Sequence, residues 1–159
     1  MINTDPNSSD FNSYASIEEL EAFAQARGIT LPDNKKSLLI KAMDYLNGIN
    51  WVGKKAKLEQ PLSFPRKDIV LDGYLLPSGV IPVQVVKAQC MLAIEAIASD
   101  LLSSIRDAPI QSELIAGALS VTYAIDKSGF IPRYPAVIST LRGLVVGEGF
   151  SINCIAERG

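Results

Sequence analysis

Basic and aromatic side chains lie close together between residues 49 and 80, and these residues have the clearest capacity for binding chemistry. The aromatic members are Trp51 and Phe64, and the basic members are Lys54, Lys55, Lys57, Arg66 and Lys67. Aromatic rings can stack on bases while cations neutralise phosphates, so this combination is able to bind a single nucleic-acid strand. Two other interpretations stay open: a solvated loop whose aromatic residues cover the edge of the core, and a surface that contacts another protein.

Groups that support catalysis are scarce in this sequence. The chain has no histidine, which removes Ser-His and Cys-His nucleophile pairs, histidine general bases and histidine metal ligands. The two cysteines, Cys90 and Cys154, do not form a CxxC motif, and Cys90 lies in an apolar stretch, which is typical of a small core residue. Gly-rich phosphate loops and the HExxH and GxSxG motifs are absent from the sequence. We therefore predict a protein that is not an enzyme and has no catalytic, cofactor-binding or metal-binding residues.

The composition predicts a single domain. The chain has 159 residues, of which 48% are apolar, enough to bury a core. Its net charge of −2 argues against a dedicated nucleic-acid binder, because such proteins usually carry a basic excess. The start, MINTDPNSSD, has neither the basic residues nor the apolar run of a signal peptide. Residues 1–15 are rich in Asn, Ser and Asp, so we expect either disorder or an arm that orders on a partner.

The stretch from Ile81 to Leu102, IPVQVVKAQCMLAIEAIASDLL, is the element around which we expect the domain to be built. At 100° per residue its polar residues fall in two narrow stripes, one with Gln84, Lys87, Glu95 and Ser99, the other with Gln89 and Asp100. The remaining surface is apolar and needs cover on nearly two sides, which indicates the central helix of a small bundle. A membrane span is disfavoured, because charged residues are spread along the segment.

Two helices are predicted before this element. The first begins at Ser16, where the sequence SIEE forms a capping box with Glu19, and ends at Gly28. The second follows Pro32 and stops at Asn47-Gly48.

Residues 49–80 form a long connection, and a connection of this length is usually functional or part of an interface. Pro61 and Pro65 flank Phe64 and favour an extended course. Asp72-Gly73 indicates a turn. Four apolar residues are expected to anchor the connection to the body: Val70, Leu71, Leu75 and Leu76.

The C-terminal third combines both kinds of element. Residues 117–125 alternate between large and small side chains, which predicts a half-buried strand. A last helix is predicted from Pro135 to Val146, and the tail from residue 147 to 159 alternates again. We therefore predict a mainly α fold: a small helical bundle around a central apolar helix, with a small β-element and extended arms. Its parts are an N-terminal arm (1–15), a body (16–146) and a C-terminal tail (147–159).

The order of several motifs resembles a family of small tailed-phage proteins. These motifs are NSYASIEELEAFAQARG, KAMDYLNG with Trp51 just after it, QPLSFPR, IPVQVVKAQCMLAIEAI, VTYA and RYPAVISTLRGLV. Proteins of this family carry the label of DnaT-like single-stranded-DNA-binding proteins, and they also resemble head–tail connector (adaptor) subunits, which form a ring under the portal. The family usually has Trp before Pro-Arg, where this chain has Phe64.

The resemblance implies a structural virion protein: a connector subunit in a dodecameric ring that joins the portal to the next neck or tail protein. It further implies that double-stranded DNA passes through the lumen without sequence specificity, that no membrane is involved, and that assembly takes place in the host cytoplasm. The alternative is a single-stranded-DNA-binding replication accessory, and the acidic balance favours the connector. The candidate interface residues are Trp51, Lys54, Lys55, Lys57, Phe64, Arg66, Lys67, Phe150 and Ile152.

Overall fold

The computed structural model describes residues 1–102 and 134–146. Its helices are α1 (Ile17–Gln25), α2 (Lys35–Asn47), α3 (Val83–Ala98) and α4 (Pro135–Thr140). Its strands are β1 (Lys54–Lys55), β2 (Arg66–Lys67), β3 (Val70–Leu71) and β4 (Tyr74–Leu75), and they form two antiparallel pairs, β1–β2 and β3–β4. The described part is thus a mixture of helices and small two-stranded sheets. The predicted strand at 117–125 and the predicted C-terminal tail, with Phe150 and Ile152, lie outside the described residues.

Helix α3 packs against α1, α2 and α4, as the apolar stretch predicted. Its inward face is lined by Val85, Ala88, Gln89, Cys90, Leu92, Ala93 and Ala96. The helix is shorter than predicted, because the backbone of Ser99 is extended and both its N–H and its hydroxyl bond to the Glu95 carbonyl. Cys90 is a free, buried thiol, and burial raises its pKa to about 12. Among the described residues, no helix has the length and apolar character needed to cross a membrane.

Gln89 was predicted to lie in a polar stripe, and this prediction was wrong. Its side chain is fully buried. The side-chain oxygen accepts from the N–H groups of Tyr14 and Ala15 at 2.9 and 2.8 Å, and the side-chain nitrogen donates to Ser13 Oγ and the Leu39 carbonyl at 2.7 and 3.1 Å. One side chain on α3 therefore fixes both the N-terminal segment and α2, and its polar atoms are satisfied without water.

Residues 11–15 belong to the core. Phe11, Tyr14 and Ala15 are buried, and Asn12 and Ser13 both donate backbone hydrogen bonds to the Asn3 carbonyl. This segment is therefore packed within the chain itself, in contrast to the disordered or partner-ordered arm that its polar composition suggested.

The predicted start of α1 is confirmed. Ser16 Oγ accepts from the Glu19 N–H at 3.1 Å, and the Glu19 carboxylate accepts from the Ser16 N–H at 2.7 Å, which completes the capping box. Gly28, just beyond the helix, has a φ of +66°. Lys35, at the positive end of α2, forms an exposed ion pair with Glu21 of α1 at 2.7 Å.

Helix α4 ends at Thr140, before the predicted end at Val146. Gly143, with a φ of +84°, reverses the chain. Val145 then forms an antiparallel bridge with Trp51. The Val52 N–H donates to the Leu144 carbonyl at 2.9 Å, and the Val146 N–H donates to the Asn50 carbonyl at 2.8 Å. Residues 144–146 therefore run beside residues 50–52.

Candidate functional site

The strands β1 and β2 bring the predicted basic residues together. In their antiparallel register Lys54 lies opposite Lys67, and Lys55 lies opposite Arg66. Gly53 precedes this pair with a φ of +73°, and a Cβ atom at this position would collide with the Lys67 carbonyl oxygen. Only glycine allows the strands to approach so closely here.

The two aromatic residues of the predicted cluster point inward. The Trp51 and Phe64 rings meet edge to face, with 4.9 Å between their centroids, and Phe64 also contacts Tyr14 at 6.1 Å. Trp51 is 8% exposed and Phe64 is fully buried. The indole Nε1 of Trp51 donates to the Leu46 carbonyl at 3.2 Å. These rings therefore cover the edge of the core, in agreement with the interpretation of a loop whose aromatic residues cover that edge. They are not accessible for stacking on bases.

The Arg66 guanidinium is committed to backbone carbonyls. It donates to the carbonyl oxygens of Val52 and Gly53 at 2.7 Å each, of Ser63 at 3.2 Å and of Trp51 at 3.4 Å. These bonds use the donor groups that would otherwise grip a phosphate in bidentate fashion. Arg66 is therefore a structural residue that ties residues 51–53 to the returning chain.

Gln60 is a second buried polar residue that the sequence did not reveal as important. It is 7% exposed. Its nitrogen donates to the carbonyls of Leu62 and Pro65 at 2.8 and 2.9 Å, and its oxygen accepts from the Lys57 N–H at 2.9 Å. The Phe64–Pro65 peptide bond, enclosed by these contacts, is cis.

Tyr14 completes this packing from the N-terminal segment. Its hydroxyl oxygen accepts a hydrogen bond from the Phe64 N–H at 3.1 Å. Burial raises the pKa of Tyr14 to about 12, against the smaller lowering effects of hydrogen bonds with the backbone of Phe64 and Ser63 and of the charge on Arg66. We call residues 60–69 the arch: Gln60 bonds within this segment and to Lys57, while Tyr14 and Arg66 tie it to the N-terminal segment and to residues 51–53.

The lysines of the predicted cluster are exposed: Lys54, Lys55, Lys57 and Lys67. Lys55 Nζ reaches the Gln60 carbonyl at 3.3 Å, and Lys57 Nζ reaches Asn7 Oδ1 at 3.2 Å. Within residues 1–102 and 134–146, the one ion pair is Lys35–Glu21, so none of these four lysines has a carboxylate partner there. Like charges opposite one another destabilise a strand pair. The basic strand pair, β1 and β2, thus presents exposed lysines that form no ion pair with a described residue, and it adjoins the buried residues Trp51 and Phe64 in sequence.

The strands β3 and β4 form a separate hairpin next to the arch. Asp72 and Gly73 have positive φ values of 51° and 86°, which fit the predicted two-residue turn. Val70, Tyr74 and Leu75 are 61%, 80% and 71% exposed. The predicted anchoring role is therefore wrong for Val70 and Leu75, because these paired residues face away from the body.

The other two predicted anchors of this hairpin are correct. Leu71 and Leu76 are partly buried against the core. Alternation along each strand explains the difference, because neighbouring side chains point to opposite faces.

In residues 1–102 and 134–146, no three His, Cys, Asp or Glu residues lie close enough together to hold a metal ion. The remaining interface candidates, Phe150 and Ile152, lie outside those ranges.

The fold and this site define a small domain of helices and two-stranded sheets that presents a basic strand pair, which adjoins the buried residues Trp51 and Phe64 in sequence. The whole chain, residues 1–159, matches the model of the family described as "Putative DnaT-like ssDNA binding protein", and the chain belongs to that family. The description names single-stranded DNA and mentions no connector. No curated protein and no solved structure gives a significant match.

Proposed function

We propose that this protein binds single-stranded DNA, without sequence preference, through phosphate contacts at the basic strand pair. The observation that carries the proposal is that β1 and β2 bring the exposed lysines Lys54, Lys55 and Lys67 together, with Lys54 directly opposite Lys67 and no carboxylate partner among the described residues. A polyanion laid along this pair relieves the repulsion between the facing cations. Membership in a family described as binding single-stranded DNA supports the same function.

The mode of binding follows from which side chains are available. Trp51 and Phe64 are buried, so binding lacks the stacking contribution of about 1–3 kcal/mol per base that aromatic platforms supply. Arg66 is occupied by carbonyls. The exposed lysines remain, and their contribution is electrostatic. We therefore expect weak binding, with a Kd of roughly 10⁻⁶ to 10⁻⁴ M at physiological salt.

Fluorescence anisotropy of a labelled oligonucleotide, measured over a salt series, tests this proposal. Each neutralised phosphate contributes about −0.7 to the slope of log K against log salt for a single strand. Replacing Lys54, Lys55 and Lys67 by Gln should therefore make the slope shallower by about 2. The matched control replaces Arg27, Lys35 and Lys87 by Gln, which removes the same charge from the helical part of the chain and leaves the basic strand pair intact. Equal losses in both variants, or no binding at low salt, would overturn the proposal.

The emission of Trp51 provides an independent check on the mode of binding. This residue is the only tryptophan in the chain, so its fluorescence reports on one site. Because the indole is buried, saturating oligonucleotide should leave its emission wavelength and intensity unchanged. Strong quenching would show that bases stack on Trp51 and that phosphate contacts alone do not describe the complex.

A second candidate function is that of a connector subunit in the neck of a tailed-phage virion. The observation that favours it is the β3–β4 hairpin, whose large apolar side chains Val70, Tyr74 and Leu75 are exposed. Surfaces of this kind contact other proteins. In this proposal the subunits form a dodecameric ring between portal and neck protein, with double-stranded DNA in the lumen. Neither candidate function requires a catalytic group or a cofactor.

Native mass spectrometry of the purified chain, alone and mixed with a portal ring, tests this second candidate. The expected result is a complex that contains the portal and twelve copies of the chain. A chain that stays free in the presence of the portal would overturn it. Oligonucleotide binding in the same preparation separates the two candidates, since only the first requires it.

A further inference from the structure

One exposed surface of this chain has a complementary surface on the same chain. The projecting surface is the β3–β4 hairpin, in which Tyr74 and Leu75 are exposed on opposite faces and the exposed Asp72 lies at the turn just before them. The backbone around it has few ties to the body, and the Leu76 N–H, which donates to the Ile69 carbonyl at 2.8 Å, closes the base of the hairpin. The tip is therefore an apolar projection with negative charge at its turn.

The receiving surface is a cavity of about 350 Å³ between the N-terminal residues and α2. Its lining includes the apolar residues Ile2 and Ile40 and the lysines Lys36 and Lys41. Ile40 is 38% exposed, although its position on α2 is next to the core residue Leu39. Neither lysine forms an ion pair with a described residue, because the one ion pair within residues 1–102 and 134–146 is Lys35–Glu21. The cavity thus offers apolar surface next to two uncompensated positive charges.

We propose that the hairpin tip of one copy docks into the α2 cavity of a second copy. The hairpin enters the cavity edge-on, so that Tyr74 from one of its faces and Leu75 from the other reach the lining that includes Ile2 and Ile40. Asp72, at the turn, meets Lys36 and Lys41. Charge complementarity singles out a second copy as the occupant, because the acidic apolar tip and the basic apolar cavity occur on one chain. The lining of the cavity and the residues of the tip have no member in common. Each copy is therefore able to give its tip and receive another at the same time.

A contact of this type is heterologous, because two different surfaces meet. The same contact is repeated from copy to copy. The copies form a closed ring if the rotation between neighbours allows it, and otherwise an open assembly. A single hairpin in one cavity covers less surface than a standard stable interface, so association should be weak and depend on protein concentration. The contact is independent of DNA binding by the basic strand pair, whose lysines lie on other strands.

Sedimentation velocity at rising protein concentration, without DNA, tests this proposal. The tip variant is Tyr74→Ser with Leu75→Ser, and the cavity variant is Ile40→Asp. Each variant alone should remain a monomer at concentrations where the wild-type chain associates. An equimolar mixture should form a one-to-one dimer and nothing larger, because each copy retains one of the two complementary surfaces. This complementation is specific to a heterologous contact between these surfaces.

Three results would overturn the proposal: a wild-type chain that stays monomeric, variants that associate like the wild type, or a mixture that stays monomeric. If Ile40→Asp fails to fold, a charge-reversed cavity, Lys36→Glu with Lys41→Glu, replaces it. That variant should lose association with wild-type tips and recover it with Asp72→Lys tips. The variant in which Gln replaces Lys54, Lys55 and Lys67 should self-associate like the wild type. A failure of DNA binding can therefore be distinguished from a failure of self-association.

Discussion

The arch and the β3–β4 hairpin are consecutive parts of one connection, and both carry large apolar side chains. In the arch these side chains are buried: Phe64 and Ile69 are fully covered and Leu62 is 7% exposed. In the hairpin, Val70 and Leu75 lie opposite one another and face outward. Apolar content therefore does not distinguish a segment that belongs to the core from one that presents a surface.

What differs between the two segments is how their backbone polar groups are satisfied. Burying a segment is costly unless its N–H and C=O groups find partners. The arch obtains them from side chains: Gln60 bonds Leu62 and Pro65, Tyr14 bonds Phe64, and Arg66 bonds Ser63. The hairpin satisfies its groups mainly within itself. The long polar side chains around the arch therefore allow its apolar residues to be buried.

The largest effect should come from truncating the central side chain of the arch. Phe64→Ala removes a fully buried ring that contacts Trp51 and Tyr14, and the expected loss is about 3–5 kcal/mol of unfolding free energy. Urea denaturation measures it. Tyr74→Ala in the hairpin is the matched control and should change stability by less than about 0.5 kcal/mol. Similar losses in the two variants would remove the distinction between arch and hairpin.

Alkaline pH should weaken the arch through Tyr14. Burial raises the pKa of Tyr14 to about 12 in the folded chain, whereas in the unfolded chain it is near the ordinary value of 10. The unfolded state therefore releases its proton first as pH rises. The stabilisation is fully present below pH 10 and is lost between about pH 10 and 12, by roughly 2–3 kcal/mol.

The variant Tyr14→Phe isolates this effect. It should lack the Tyr14 part of the alkaline loss, so that the difference in stability between wild type and variant shrinks above pH 10. At neutral pH the variant should be less stable, because the Phe64 N–H loses its acceptor. Parallel alkaline profiles for the two proteins would show that the Tyr14 hydroxyl is accessible to water.

Gln60 tests whether polar satisfaction makes the burial of the arch possible. Gln60→Met keeps the length of the side chain but leaves the Leu62 and Pro65 carbonyls and the Lys57 N–H without their partner. The expected loss is about 2 kcal/mol, since buried unsatisfied groups cost about 1–3 kcal/mol. Gln25→Met, at an exposed position on α1, is the control and should be nearly neutral. If Gln60→Met left the free energy of unfolding unchanged, the stability of the arch would come from its apolar contacts alone.

Local signals in the sequence predicted where the helices begin, while α3 and α4 end earlier than predicted, and long-range contacts account for the other features that were missed. The capping box at Ser16 and Glu19 involves neighbouring residues, so it was readable in the sequence. Gln89 bonds groups more than seventy residues away in the N-terminal segment. Periodicity assigns such a residue to the surface, because nothing near it in sequence indicates what will cover it. The available signal was Gln89 between Ala88 and Cys90 on an apolar helix, whereas Gln60 follows Glu59 and gave none.

The candidate site was predicted in composition but not in geometry. The sequence places Trp51, Phe64, Arg66 and the lysines within one connection, and β1 and β2 do bring the basic residues together. Which of them point outward depends on the fold of residues 50–52 against residues 144–146 and on the arch. The pairing of residues 50–52 with residues 144–146 joins segments about ninety residues apart, and no local pattern in the sequence encodes it.

The smallest effect should come from the face of the hairpin that points to solvent. Leu75→Ser removes an apolar side chain that is 71% exposed and whose cross-strand partner is Val70. Such a pair contributes about 0.2–1 kcal/mol, so we expect a loss near 0.5 kcal/mol by urea denaturation. Leu62→Ser in the arch, where the side chain is 7% exposed, is the comparison and should lose several times more. A loss above about 2 kcal/mol for Leu75→Ser would mean that Leu75 itself packs on the body, and it would then be unavailable to a second copy. A loss near the expected value, together with weaker self-association of the same variant, would assign Leu75 to contacts between copies and not to stability.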